Sequence, residues 1–212
     1  MDGLRLWSLK MKTVKDGNIY KAVKQVERKY WKREETEQPW TQPVLSANGT
    51  IGGDSFACAA SSVLTGNAAY QAFDNSTYLW TSAQNQQNNS WLEWYNPKKI
   101  AITTLKFWTG GDYGMGVIKN FKIQASNDNS TWVDIETGAT SSNANVTITK
   151  NINTNQGYKY WRIFVINTWD NMFAGIDDVV ITATQLEETI VPGTAEDYDF
   201  YTEETNYKGV NI

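Results

Sequence analysis

Few kinds of side chain in this 212-residue chain could do acid–base or covalent chemistry: histidine is absent, Cys58 is the single cysteine, and 23 Asp and Glu residues remain. Without histidine there is no Ser-His or Cys-His nucleophile pair and no Cys/His zinc site, and one cysteine allows no internal disulfide. Cys58, in the run Phe-Ala-Cys-Ala-Ala, reads as a small core residue. Carboxylates alone can hydrolyse a glycosidic bond when two of them flank it and one holds a proton. Such a pair needs a cleft, and the acidic residues here fall mostly in turns and near the chain ends. Asp177 and Asp178 are neighbours, and on a regular strand neighbours point to opposite faces and form no dyad. The residues therefore argue against an enzyme.

The elements that must position these groups read as strands. In Phe121 to Trp132, FKIQASNDNSTW, Phe121, Ile123 and Ala125 alternate with Lys122, Gln124 and Ser126, the period of a strand with one buried face. Asn127-Asp128-Asn129-Ser130 supplies four turn formers, and Trp132 opens the returning strand. The same reasoning predicts strands at 55–60, 91–95, 100–109, 118–126, 132–136, 146–152, 158–167 and 176–184. Both faces of the 158–167 segment are largely apolar, which predicts a central strand covered on both sides. Eight short strands separated by Asn-, Ser-, Gly- and Thr-rich turns indicate an all-β sandwich.

The ends differ from the middle. Residues 1–36 carry ten Lys and Arg against five Asp and Glu, whereas residues 187–212 carry one against seven. This predicts a basic N-terminal arm and an acidic C-terminal extension that attach to partners or to each other. Asp16-Gly17 is a hairpin signal, although Ile19, Ala22, Val23, Val26 and Tyr30 also fit a helical stripe. Residues 18–33 are thus helix or strand. The arm's Leu4, Leu6, Trp7, Leu9 and Trp31 are too apolar for water, and the arm is too short and charged to bury them alone. Residues 37–43 carry two prolines and read as a linker to a domain at 44–186. Neither a membrane span nor a secretory signal is expected, and a net charge of −4 argues against a nucleic-acid partner.

Three segments resemble the discoidin, or coagulation-factor type C, domain, including the bacterial carbohydrate-binding modules on that fold. They are AYQAFDNSTYLWTS at 69–82, SNDNSTW at 126–132, and YWRI at 160–163 followed by IDDVVI at 176–181. The resemblance implies an eight-stranded jelly-roll β-sandwich without catalytic activity, binding through loops at one end. The candidate loops are 108–116, with Trp108, Asp112 and Tyr113, and 167–175, with Trp169, Asp170, Asn171 and Phe173. Relatives that bind sugar often place an aromatic platform before the last strand, a role open to Trp169 and Phe173, with Asp170 and Asn171 for hydroxyl groups. Stacking suits the apolar face of a sugar ring. A cap on the end of the core is the alternative role for each ring. Galactose-binding relatives commonly use a His and an Arg; this chain has no His, and Gly110 and Gly111 stand where the Arg would fall. Another glycan, or a protein, is therefore to be expected at least as much as galactose. In many relatives the segment of Asp74 and Thr77, with an acid on the final strand, wraps a structural Ca²⁺. Asp178 aligns with that acid and Asp177 is the alternative, while Asp74 could equally cap a turn.

Location sharpens the expectation. Discoidin-like modules usually work outside cells, so a chain with no secretion signal and a charged arm fits a bacteriophage virion appendage, in the tail or head, that adheres to host surface carbohydrate. Other virion proteins would then be partners, and a homo-oligomer, by analogy with fibres a trimer, is expected. A fragment of a secreted or surface-bound bacterial adhesin is the alternative, as is a purely structural protein–protein module. The sequons at Asn48, Asn75, Asn88, Asn129 and Asn145 follow from an Asn-rich composition.

Overall fold

The computed structural model describes the backbone of residues 6–15, 18–110, 116–140 and 146–211, and the side chains of residues 26–110, 116–140 and 146–204. In chain order the strands are β1 (Leu6–Lys15), β2 (Asn18–Pro39), β3 (Ala57–Ala60), β4 (Trp80–Thr81), β5 (Trp91–Thr109), β6 (Ile118–Ser126), β7 (Val133–Ala139), β8 (Val146–Asn151), β9 (Tyr158–Thr168), β10 (Gly175–Pro192) and β11 (Phe200–Asn211). One 3₁₀ turn, Ala69–Phe73, lies between β3 and β4. The chain forms two compact units, Glu37–Glu187 and the pair Met1–Thr36 with Glu188–Ile212.

The Glu37–Glu187 unit is a jelly-roll β-sandwich whose layers share β5. The first half of β5 pairs with β3 and β9 (Cys58↔Trp94, Glu93↔Arg162) and its second half with β8 and β10 (Phe107↔Ile148, Leu105↔Ile181). The register breaks between Tyr95 and Ile100, at Asn96-Pro97-Lys98-Lys99, because Pro97 has no N–H for a ladder. Asn96 holds the bend, donating to the Lys98 carbonyl at 2.7 Å and accepting from Trp40 Nε1 at 3.2 Å. The two strands expected at 91–95 and 100–109 are thus halves of one bent strand. One layer runs β3–β5–β9–β6–β7 and the other β8–β5–β10–β4. Between them Leu92, Trp94, Trp161, Ile163, Phe121 and Ile123 face Ile102, Leu105, Phe107, Ile176 and Ile181, all buried. Burying each such side chain contributes about 2 kcal/mol. Phe107 and Phe121 meet edge to face at 5.3 Å across the core. Cys58 is buried as expected, which pushes its thiol up to about 12.

The turn at 126–130 is a clasp built by one carboxylate. Asp128 Oδ1 accepts from Ser126 Oγ at 2.9 Å, Ser130 N at 2.8 Å and Thr131 N at 2.7 Å, bonds that hold its carboxyl well below the usual range. Asn129 takes φ +57°, a conformation Asn tolerates. The chain then returns with the Trp132 ring 3.9 Å from Arg162 Cζ on central β9. Arg162 donates to Gln124 Oε1 at 2.7 Å and lies opposite buried Glu93, whose carboxyl burial pushes up to about 7 against the pull of Arg162. Trp132 therefore covers the second face of β9 and the Arg162 guanidinium on it.

In the other unit β2 lies between β1 and β11. β1 pairs from Leu6↔Val26 to Lys15↔Asn18, and β11 from Phe200↔Trp31 to Asn211↔Tyr20. Residues 18–33 are strand; Asp16-Gly17 and the side chains from Leu4 to Val23 lie outside the described residues. Arm and tail, expected to attach to partners or to each other, pair within one chain. Their opposite charges meet in Arg28–Glu203 (2.8 Å), Lys29–Glu204 (2.9 Å) and Lys32–Asp197 (2.6 Å), exposed pairs that set register more than stability. Tyr30 packs on Tyr198 and Tyr201 at 4.8 and 6.2 Å between centroids. None of the described side chains of this unit is buried.

Candidate functional site

At one end of the sandwich three loops are tied backbone to backbone. Gly175 N donates to Gly116 O at 2.8 Å, Gly110 N to Gly175 O at 3.3 Å, and Trp169 N to Val117 O at 3.0 Å. This approach needs glycine: a Cβ on Gly175 would stand 2.7 Å from Gly110 O, and Gly116 combines φ +79° with Gly175 N at 3.0 Å from its would-be Cβ. Buried Thr109 links them, its Oγ1 donating to Gly175 O and accepting from Ile118 N, both at 3.0 Å. The third loop, which follows β4 and includes Ser82 and Asn85, was not among the expected binding loops. Ser82 exchanges hydrogen bonds with Ala174 and Asn85 N donates to Met172 O.

Asp170 organises this end. Its Oδ2 accepts from Gly116 N at 2.8 Å, and its Oδ1 from Thr168 Oγ1 at 3.0 Å and Met172 N at 3.1 Å. It is the joint between the two expected loops, with both oxygens engaged inside the protein. Asn171 follows at φ +53° with its side chain exposed, and Phe173 is half-buried. Trp169 is also half-buried. Its Nε1 donates to Thr140 Oγ1 at 2.8 Å, and Lys119 Nζ lies 4.5 Å from its ring centroid. Lys119 and Thr140 escape a reading of loops because they lie at the edges of β6 and β7 and reach Trp169 only through the register of β6 with β9.

Trp108, expected in a loop, is a strand residue: on β5 it pairs with Thr147 and Asp177. Asp112 and Tyr113 lie outside the described residues.

The carboxylates assigned to a metal are grouped in part. Asp74 Oδ1 accepts from Ser76 N at 3.0 Å, so it does cap a turn, and Thr77 is exposed beside it. Asp178 sits at φ +44° where the register of β10 breaks between Asp177 and Val180, which removes the regular alternation expected of this pair. Asp177 Oδ1 is buried with no hydrogen-bond partner. Burial first, then the charges of Asp178 and Asp74, push the Asp177 carboxyl up to about 6. An unpartnered buried oxygen under net negative charge fits a hard cation. Among the described residues no three His, Cys, Asp or Glu groups are arranged to hold an ion, so neutral oxygens would have to complete the shell. A depression of about 320 Å³ adjoins this corner, lined by Gln42, Val44, Phe73, Asn75, Asp178 and Val180 among others.

Comparison with known proteins agrees with this architecture. The family model for the F5/8 type C domain matches residues 57–177. No curated protein sequence matches the chain. Among solved structures, the family 32 carbohydrate-binding module of Clostridium perfringens NanJ, in complex with galactose, superposes with a TM-score of 0.52 at 17% identity, covering 62% of this chain and 93% of that one. A Clostridium perfringens CBM32 in complex with GalNAc-β-1,3-galactose gives 0.54 at 13% identity, covering 60% and 94%. CBM32-1 from a family 31 glycoside hydrolase of the same organism gives 0.51 at 17%, covering 59% and 93%. At these identities the likeness is one of fold.

Proposed function

The chain belongs to the F5/8 type C domain family, and from that premise we propose that it is a non-catalytic module that binds surface carbohydrate through the loops around Trp169. The observation that carries this reading is the convergence of Gly110, Gly116 and residues 167–175 at one end of the sandwich. It sets Trp169, Phe173 and exposed Asn171 on a rigid base. Asp170 then serves as the loop's joint, and hydroxyl recognition falls to Asn171. Fold neighbours with bound galactose or GalNAc-β-1,3-galactose support the reading by analogy.

We further propose a structural Ca²⁺ held by Asp74 and by Asp178 or the unpartnered oxygen of Asp177, with neutral oxygens completing the shell, and attachment through the unit of residues 1–36 and 188–212. A sheet with no buried side chain among its described residues gains stability by docking, which supports a homo-oligomer seated in a larger assembly. Our reading of that assembly is a bacteriophage virion appendage adhering to its host.

The test is retention of the full chain on immobilised host-surface polysaccharide, wild type against Trp169→Ala and Trp169→Phe. Loss of a stacked aromatic weakens binding by about thirtyfold, with Phe restoring part of it. Equal retention of wild type and Trp169→Ala would remove the site from Trp169.

A further inference from the structure

Resting on the glycan-binding reading, we propose that the ligand is an acidic sugar, one whose ring carries a carboxylate, and that Lys119 is the residue that selects it. The structure puts the Lys119 ammonium 4.5 Å from the centroid of the Trp169 ring. Among the described residues no carboxylate pairs with it. Asp170, the described acid beside it in the 167–175 loop, spends both oxygens on Gly116, Thr168 and Met172. Elsewhere in the sandwich Lys98, Lys122 and Lys150 reach Glu187, Asp134 and Glu136. The indole is pinned by Thr140 Oγ1 at 2.8 Å, itself donating to Ile118 O at 2.7 Å, so the ring cannot turn away from the cation.

A sugar stacking on that face must first displace the ammonium and forfeit the cation–π contact. A neutral sugar gives nothing back for this loss. A sugar with an exocyclic carboxylate does, because the four-carbon stem of Lys119 lets the ammonium swing to the ring's edge and pair there. Lys119 thus works against one class and for the other, which is how specificity arises as a difference of affinities. An ammonium receives sulfate as readily as carboxylate. The attachment of a carboxylate directly to the stacked ring, in the plane of the platform, favours the uronate source.

The experiment measures binding of the full chain to polygalacturonate, its fully methyl-esterified form, dextran sulfate and galactan, for wild type, Lys119→Met and Trp169→Phe, with melting temperatures as the fold control. Wild type should retain polygalacturonate best, lose about fivefold in affinity in Lys119→Met, and weaken further as salt is raised. The esterified polymer should bind Lys119→Met as well as or better than wild type. Preference for the esterified polymer or galactan, with Lys119→Met unchanged on polygalacturonate, overturns the acidic class and leaves glycan binding standing. Stronger binding to dextran sulfate overturns the carboxylate. Binding to none of the four polymers, in a chain that melts normally, overturns this inference, whereas the glycan reading itself falls only if host-surface polysaccharide is not retained either.

Discussion

Asp177 carries an unusual burden for one carboxyl group: a buried oxygen without a partner, beside two like charges. Its folded pKa of about 6 lies above the ordinary carboxylate value of about 4. The folded chain therefore binds a proton more tightly than the unfolded one between these values. The stabilising contribution is complete below about pH 4 and is lost as pH rises through about 6. Melting temperature, compared between wild type and Asp177→Asn, should show the variant ahead at pH 7 and the gap closing toward pH 4.5. A gap that widens on acidification would show that the carboxyl is not strained. Added Ca²⁺ should raise the wild-type melting temperature at pH 7 and leave Asp74→Ala nearly unmoved; identical curves with calcium and with chelator would remove the ion. The acidic trio itself could be read from the sequence. That Asp177 rather than Asp178 carries the buried oxygen could not, because the bulge that reverses their roles follows from pairing with Trp108 and Lys106 on another strand.

Strand patterning was legible wherever one face is buried. The alternation of Phe121, Ile123 and Ala125 appears as the core face of β6, and the two apolar faces of β9 appear as its central place between β5 and β6. Trp132 was legible as the start of a returning strand, but its partner Arg162 was not, since they meet only through the registers of β7 with β6 and of β6 with β9. Trp132→Ala should lower stability by about 2 kcal/mol, because it uncovers the guanidinium and the buried Glu93 behind it. A cost under half of that in urea unfolding would make Trp132 a bystander. The loops follow backbone proximity instead. Gly175→Ala should cost about 2 kcal/mol and lower glycan retention with it, since the new methyl meets the Gly110 carbonyl. Retained binding in a destabilised chain would separate the loop junction from the site. Gly110, Gly116 and Gly175 stand out in the sequence only as turn formers, and nothing there states that they touch.

For the whole molecule, charge asymmetry pointed to the joining of arm and tail, while the antiparallel register from Phe200↔Trp31 to Asn211↔Tyr20 needed the fold. The Glu37–Glu187 unit has its own core, and the other unit has no buried side chain among its described residues. Residues 37–187 alone should therefore fold and run as a monomer in light scattering, whereas the full chain should run as an oligomer, three copies being our expectation by analogy with fibres. Equal masses per subunit count for the two, monomeric in both, would dismiss the attachment role.

The pairing of β2 with β11 also sets a schedule. β2 is made before the sandwich, and its partner β11 exists only after the sandwich has been made. Until then β2 has β1 on one side and an open row of amide and carbonyl groups on the other. A chain whose synthesis stops inside the sandwich keeps that edge open and never completes the sheet. An assembly that gripped the closed sheet would thus take up chains whose sandwich has been made and leave behind those interrupted within it.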